Sequence, residues 1–404
     1  METIDCAIAG CGPAGAMLGL LLARAGLRVC VFEKHADFLR DFRGDTVHPS
    51  TLQLLDELGL ADAFAKLPAR RVSSVAIESE LGSWPLANFT RLPGRYNYVA
   101  LVPQWDLLKL LTDHAQQFSG FELRMQSEVV GVVKENDSVV GLRYRSGSAE
   151  QMVRARLCIA ADGRGSMLRT QAGLQPVDLG APIDVLWFRL PRIAGDPSNV
   201  AARLGSRAML VLIDRGDYWQ IASVIAKGGF EPMRAGDIDG LRQQVLRLAP
   251  FFAGREHNLR SWDDVHLLRV QLDRLPRWHR PGLLCIGDAA HAMSPVGGVG
   301  INLAVQDAVA AANLLSAPLL EQRLSEADLA AVQRRREWPV RVTQAAQRAV
   351  HRGLLEPMLA GAPPRPPLVM RLLAATPWGA ALGGRLVGLG VRPEHIRSAS
   401  RQPP

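Results

Sequence analysis

The chain has 404 residues, 48% apolar and 21% charged, too long for one core of ordinary size and ordinary in make-up for an α/β protein. Its 47 Lys and Arg against 39 Asp and Glu leave a net +8, but the basic residues are spread along the chain, with one short run at Arg334, Arg335 and Arg336, which is scattered arginine and not a nucleic-acid footprint. There is no run of ~18 unbroken apolar residues for a membrane span, no basic-then-apolar leader, and no CxxC pair among the five cysteines to hold zinc or a disulfide framework, so a cytoplasmic chain with reduced, buried thiols is expected.

Residues 4–10 and 28–33 read as short strands. The stretch between them reads as a helix that stops at Gly26, a residue suited to the position after a helix. The turn joining the first strand to that helix is Gly10-Cys11-Gly12-Pro13-Ala14-Gly15, a GxGxxG pattern in the strand–turn–helix setting that gives it meaning. Gly10 permits the tight turn, Gly12 lets backbone approach a pyrophosphate, and Gly15 lets helix and strand pack closely. The helix start, with Pro13 and Ala14, offers free N–H groups and partial positive charge to phosphates. Glu33 ends the second strand, followed by Lys34; a carboxylate there accepts hydrogen bonds from an adenosine ribose diol. The ligand class is a dinucleotide.

Further along, residues 50–58 predict a helix with Ser50 as N-cap and Gly59 as stop. Residues 105–118 predict another, with Leu107, Leu108, Leu111, Ala115 and Phe118 on its apolar face. Residues 121–160 and 183–226 are strand-like. Residues 282–287 form a short apolar strand, followed by a glycine-rich turn and a long helix from Asn302. From Ala317 onward the chain is mostly helical, broken by prolines at Pro363–Pro367. The order β/α, β, β/α predicts a nucleotide domain assembled from separated segments around an inserted β lobe.

Two more motifs follow apolar runs far downstream. Asp162-Gly163-Arg164-Gly165-Ser166 comes directly after LCIAA. Gly287-Asp288-Ala289-Ala290-His291, then Pro295, Gly297, Gly298, Gly300 and Asn302, comes after GLLCI. Asp288 leaves the end of its strand, where α/β folds place ligand groups. Its carboxylate is suited to ligand hydroxyls, and the helix start beyond it is suited to negative charge on a ligand.

With these motifs, residues 4 to about 315 resemble the single-component (group A) flavoprotein monooxygenases related to p-hydroxybenzoate hydroxylase. The two downstream motifs look like that family's "DG" and "GD" segments; Val299, between the glycines, departs from the polar residue common there. The resemblance implies a Rossmann-like FAD-binding domain of the glutathione-reductase type over residues 1–75, 99–181 and 275–316. It also implies a substrate-binding β-sheet domain over 76–98 and 182–274, and a helical C-terminal region over 317–404. It implies FAD, NADPH or NADH as co-substrate, and O2, with oxygen transfer through a flavin C4a-hydroperoxide to an aromatic or polycyclic small molecule. Asp162, Gly163, Gly287, Asp288, Pro295, Gly298, Gly300, Ile301 and Asn302 would then bind the cofactor. Arg43 would lie near the isoalloxazine and pyrophosphate, Gln104 near the flavin, and the Val129 backbone against adenine; for Arg43 and Gln104 an ordinary solvated side chain is the competing reading.

The cofactor carries the hard chemistry, so no nucleophile or triad is required. For a phenol needing a base, His48 is the candidate, against a plain surface histidine beside Pro49; His291 reads as structural. Trp187, Phe188, Tyr218 and Trp219 are candidate pocket residues, with core packing equally open, and strand alternation lets only one of Trp187 and Phe188 face a ligand. The apolar tail with spaced arginines reads as a cover over the flavin domain or substrate tunnel in preference to an interfacial helix pair. The alternatives are a flavin-dependent reductase or dehydrogenase acting on an unsaturated or prenyl substrate, and a non-catalytic flavin- or nucleic-acid-binding protein. A halogenase lacks its WxWxIP segment here.

Overall fold

The computed structural model describes residues 3–39, 46–197, 201–363, 371 and 376–398. The main sheet runs, in spatial order, His279–Arg280, Leu283–Cys285, Ala149–Ala160, Thr3–Ala9, Val29–Phe32 and Phe121–Arg124, extended by Ser127–Glu135 and Ser138–Ser146 beside Ala149–Ala160. Its central strands are parallel, with Cys6 level with Val29 on one side and Leu157 on the other. They are buried on both faces, which is why VCVF and LCIA read as continuous apolar runs without alternation.

Helix Pro13–Arg24 is buried at every position from Ala14 to Ala23, as expected of a helix that is apolar all round. It is sandwiched by helices Gln104–Ala115 and Gly300–Leu320. Among the described residues, Val296–Leu320 is the one stretch long and apolar enough to cross a membrane. It packs between the Pro13 helix and helix Glu326–Val350, and 78% of its apolar window is buried in the protein, so it is a core helix.

A second sheet has seven strands, ordered His266–Leu268, Ile183–Pro191, Tyr218–Ala226, Ala208–Asp214, Ala201–Gly205, Ser74–Ser79 and Gly82–Asn88. One face packs Phe188, Leu212, Trp219 and Ile221 onto helix Asp239–Leu248 and Phe252. The other face turns Val185, Trp187, Val211 and Val224 toward Leu354, Met358 and Val296 of the glycine-rich segment. A small sheet of Thr46–Val47, Val99–Leu101 and Arg70–Val72 is the third.

Some boundaries differ from the sequence reading. The second helix is Pro49–Glu57, capped by His48 and not by Ser50, because proline suits the first helical position. The helix expected to reach 118 spans Gln104–Ala115. All five cysteines are free and buried. Burial pushes the Cys30 thiol up to about 12 and raises Cys158 and Cys285 as well, which makes these thiols unreactive packing groups.

Candidate flavin site

The glycine turn lies in the crevice at the carboxyl end of Thr3–Ala9, where the chain leaves in one direction to Val29–Phe32 and returns on the other side at Ala149–Ala160. This is the switch point at which open α/β sheets bind ligands. Each glycine has a separate reason. Gly10 has φ +93, and a Cβ there would meet the Ala161 carbonyl at 2.5 Å. A Cβ on Gly15 would overlap the Gly10 carbonyl oxygen. Gly12 has open space beyond it, which is the cradle a side chain would fill and a pyrophosphate would use. No side chain caps the Pro13 helix and no acidic residue lies in its first turn, so its amides face that space with their partial charge intact. Glu33 is buried and accepts the Cys11 and His35 amides at 3.2 and 3.1 Å, which fixes its carboxylate beside the turn. Lys34, next to it, is exposed.

The two downstream motifs meet. Arg164 Nε donates to Asp288 Oδ2 at 3.0 Å. Arg169 holds the Ala289 carbonyl at 3.2 Å and the Arg164 carbonyl at 2.6 Å. Asp162 Oδ2 accepts the Met167 amide at 3.1 Å, capping helix Met167–Gln171, while its buried Oδ1 has no partner. Burial pushes the Asp162 carboxyl up, against hydrogen bonds from Ser166 and the Met167 and Leu168 amides. A buried carboxylate oxygen without a donor calls for one from a ligand.

Behind this clasp lies a node that the sequence did not reveal. Asp307 is fully buried and accepts the Gly287 amide at 3.1 Å and His291 Nε2 at 2.6 Å on one oxygen, and Arg336 Nε at 3.0 Å on the other. Burial opposes its charge, but His291 and Arg336 hold the carboxyl below its ordinary value. Arg336 in turn reaches Glu394, which also pairs with Arg335. His291 is thus a supporting side chain, its ring tilted against Trp278 with centroids 4.9 Å apart. Only the spacing of Asp307 one helical face beyond the glycine turn hinted at this.

His48 is not at the surface. It is 1% exposed, with Nε2 3.0 Å from the Gly298 carbonyl, which also accepts the Thr46 hydroxyl at 2.7 Å. Burial pulls its pKa down, against the Gly298 and Val387 carbonyls, and Nε2 is placed to donate to Gly298. Its Nδ1 is buried and makes no hydrogen bond. This is a group that pins the Gly297–Gly298 turn, in place of the surface histidine expected beside Pro49. Gly298 itself has φ +63 and lies against Thr46, so no side chain fits there. The helix it introduces, Gly300–Leu320, also lacks a side-chain cap and first-turn acid, leaving the Gly300, Ile301 and Asn302 amides facing the crevice. The Asn302 side chain is committed elsewhere: its Oδ1 accepts Ser50 and Thr51 hydroxyls at 2.9 and 2.6 Å.

Gln104 is the half-buried first residue of its helix. Val129 lies inside strand Ser127–Glu135 opposite Tyr144, next to a one-residue bulge. Trp187 is half-buried on the sheet face toward Val296. Phe188 and Trp219 are on the far face, where Trp219 Nε1 donates to Asp196 at 2.9 Å; Trp219 is removed from the pocket wall. Tyr218 lies under Arg189. Arg43 lies outside the described residues. A cleft of about 380 Å³ at the opposite edge of the main sheet, lined by Arg154, Arg156 and Glu326 among others, is no rival site. Its charges are already paired, Arg154 with Glu135, Arg156 with Asp5 and Glu326 with Arg277.

A glycine turn with open space, two uncapped helix starts aimed at one crevice and an orphaned carboxylate oxygen fit FAD, and together they define a flavoprotein oxidoreductase. Residues 3–346 match the FAD binding domain family. The chain is 33% identical over 335 residues to the 6-methylpretetramide 4-monooxygenase of Streptomyces rimosus, covering 82% of this chain and 80% of the relative. It is 30% identical over 318 residues to the 12-dehydrotetracycline 5-monooxygenase/anhydrotetracycline 6-monooxygenase of Streptomyces rimosus subsp. rimosus, covering 76% of this chain and 61% of that longer relative. The crystal structure of PqsL from Pseudomonas aeruginosa superposes with a TM-score of 0.76 at 21% identity, over 89% of this chain and 99% of PqsL. The chain belongs to this family, the class A FAD-dependent aromatic hydroxylases, and is a monooxygenase that uses FAD and O2.

Proposed function

We propose that the substrate is an oxygen-bearing polycyclic aromatic molecule, hydroxylated at the expense of NADPH or NADH. The observation that carries this reading is Trp187, whose buried indole N–H has no acceptor on the sheet face that looks toward Val296. A flat indole with an unused donor suits a fused ring system carrying a carbonyl or hydroxyl. The two relatives named for tetracycline-type substrates support the same class.

When bound, FAD supplies hydride acceptance and the transfer of one oxygen atom from O2. The protein's part is to hold and orient. The Gly10–Gly15 turn with Pro13 and Ala14 takes the pyrophosphate, Glu33 the ribose, and the Val129 backbone the adenine. Asp288, steered by Arg164, takes ribityl hydroxyls, and Asp162 and Gly163 stand beside them. Gly287, Pro295 and Gly298 shape the turn, and the amides of Gly300, Ile301 and Asn302 would stabilise negative charge at the ring. Gln104 lines the same crevice. The seven-stranded sheet carries the substrate wall and the eight-stranded sheet the flavin. Five buried free thiols support a reducing, cytoplasmic setting.

The test is a screen of phenols and polycyclic aromatics for stimulated NAD(P)H consumption, with product mass and O2 uptake measured together. One O2 consumed and one oxygen gained per product supports the proposal. Reduction of an unsaturated substrate without O2 uptake would replace it with the reductase reading.

A further inference from the structure

Helix Pro377–Gly388 is packed inside out. Its small residues meet the protein: a Cβ on Gly383 would overlap the Leu86 carbonyl, and one on Gly384 the Asn88 carbonyl, while Gly379 and Ala380 are buried. Its large apolar residues face outward. Trp378 is 81% exposed and Leu382 and Leu386 are each 49% exposed. Spaced by four, they form one stripe along the helix, and Arg385 is exposed beside them. Isolated apolar residues on a surface need no explanation, but an aligned tryptophan and two leucines on a helix docked by glycines do.

The charge of the surrounding chain points to the occupant. Between Glu356 and Glu394 there is no acidic residue, and four arginines occur, Arg365, Arg371, Arg385 and Arg392. We propose that this face rests on an anionic lipid surface, with Trp378, Leu382 and Leu386 at the acyl boundary and Arg385 on headgroup phosphate. Tryptophan favours that boundary because its ring is apolar and its N–H is polar. A second copy of the chain docked by the same face would bring Arg385 toward its own counterpart, which disfavours a self-complementary dimer.

The test uses FAD-loaded enzyme and vesicles of phosphatidylcholine alone or with about one-third phosphatidylglycerol. Co-sedimentation is expected to be about tenfold stronger with the anionic vesicles. It is expected to be lost in Trp378→Ser/Leu382→Ser/Leu386→Ser and weakened in Arg385→Glu, with the visible flavin spectrum and NAD(P)H oxidation on a soluble substrate retained. Should the triple variant misfold, quenching of wild-type fluorescence by brominated lipid, absent in Trp378→Phe, supplies the same evidence. Equal, negligible sedimentation of wild type with both vesicles overturns the proposal. So does a dimer in light scattering that Trp378→Ser alone converts to monomer.

Discussion

Arg164 and Asp288, 124 positions apart, are joined by a 3.0 Å hydrogen bond from Nε to Oδ2. The pair aims a carboxylate that would otherwise rotate freely at a strand end. Arg164→Met is therefore expected to weaken FAD binding by about tenfold, or ~1.4 kcal/mol. Asp288→Asn is expected to weaken it as well, and the double variant to lose less than the sum. Fluorescence titration of apoprotein with FAD checks this.

Gly12 and Gly15 separate ligand need from fold need. Gly12→Val enters open space and is expected to leave the thermal unfolding of the apoprotein unchanged while abolishing FAD uptake. Gly15→Ala drives a methyl group into the Gly10 carbonyl and is expected to cost about 3 kcal/mol of stability or more. Paired melts of the two apoproteins decide it.

His48 donates to the Gly298 carbonyl, and its Nδ1 is buried without a partner. His48→Gln, able to keep the donor, is expected to retain FAD affinity, and His48→Leu to lose about 1 kcal/mol of it. The pH profile of kcat is expected to keep its shape in His48→Gln. A missing limb in that variant would return His48 to proton transfer.

Four histidines, His48, His114, His279 and His351, are held below their ordinary value of 6.5 chiefly by burial. On acidification the unfolded chain takes up these protons first. Stability is thus fully present above pH 6.5 and lost as pH falls below it toward the folded values. Tm is expected to drop between pH 7.5 and pH 5.5, and His351→Gln to flatten part of that slope.

Asp196 accepts both Arg255 nitrogens at 2.7 and 2.9 Å and Trp219 Nε1 at 2.9 Å. Burial works against its charge, but these donors bring its pKa down to about 2. Asp196→Asn is expected to cost about 3 kcal/mol at neutral pH by stranding Arg255. The wild-type contribution is expected to fade as pH falls from 3.8 to about 2. Urea melts at pH 7 and pH 3 measure both.

The parallel sheet and glycine turn were legible because their physics is local: continuous apolar runs, and glycines at which a side chain collides with a neighbouring carbonyl. The joining of the two downstream motifs was legible only as a pattern, since nothing in Asp162-Gly163-Arg164 names Asp288 as its partner. Other features depend on distant chain. Ser50 looked like a helix cap but is turned toward Asn302 and the Gly388 carbonyl. His48 beside Pro49 looked exposed, yet the Gly298 turn and the Val387 backbone of the last helix close over it. Trp219 looked like a pocket residue because alternation gives two faces without saying which one meets the flavin.

The Gly287 amide is held by Asp307, Asp307 by Arg336, and Arg336 by Glu394. The brace for the second flavin motif is therefore synthesised well after the motif itself. A nascent polypeptide can fold its glycine turn early, but it cannot grip the vitamin-derived cofactor firmly until synthesis has passed residue 394. Fusions or truncations placed upstream of that position would yield protein that is made, compact and poorly pigmented.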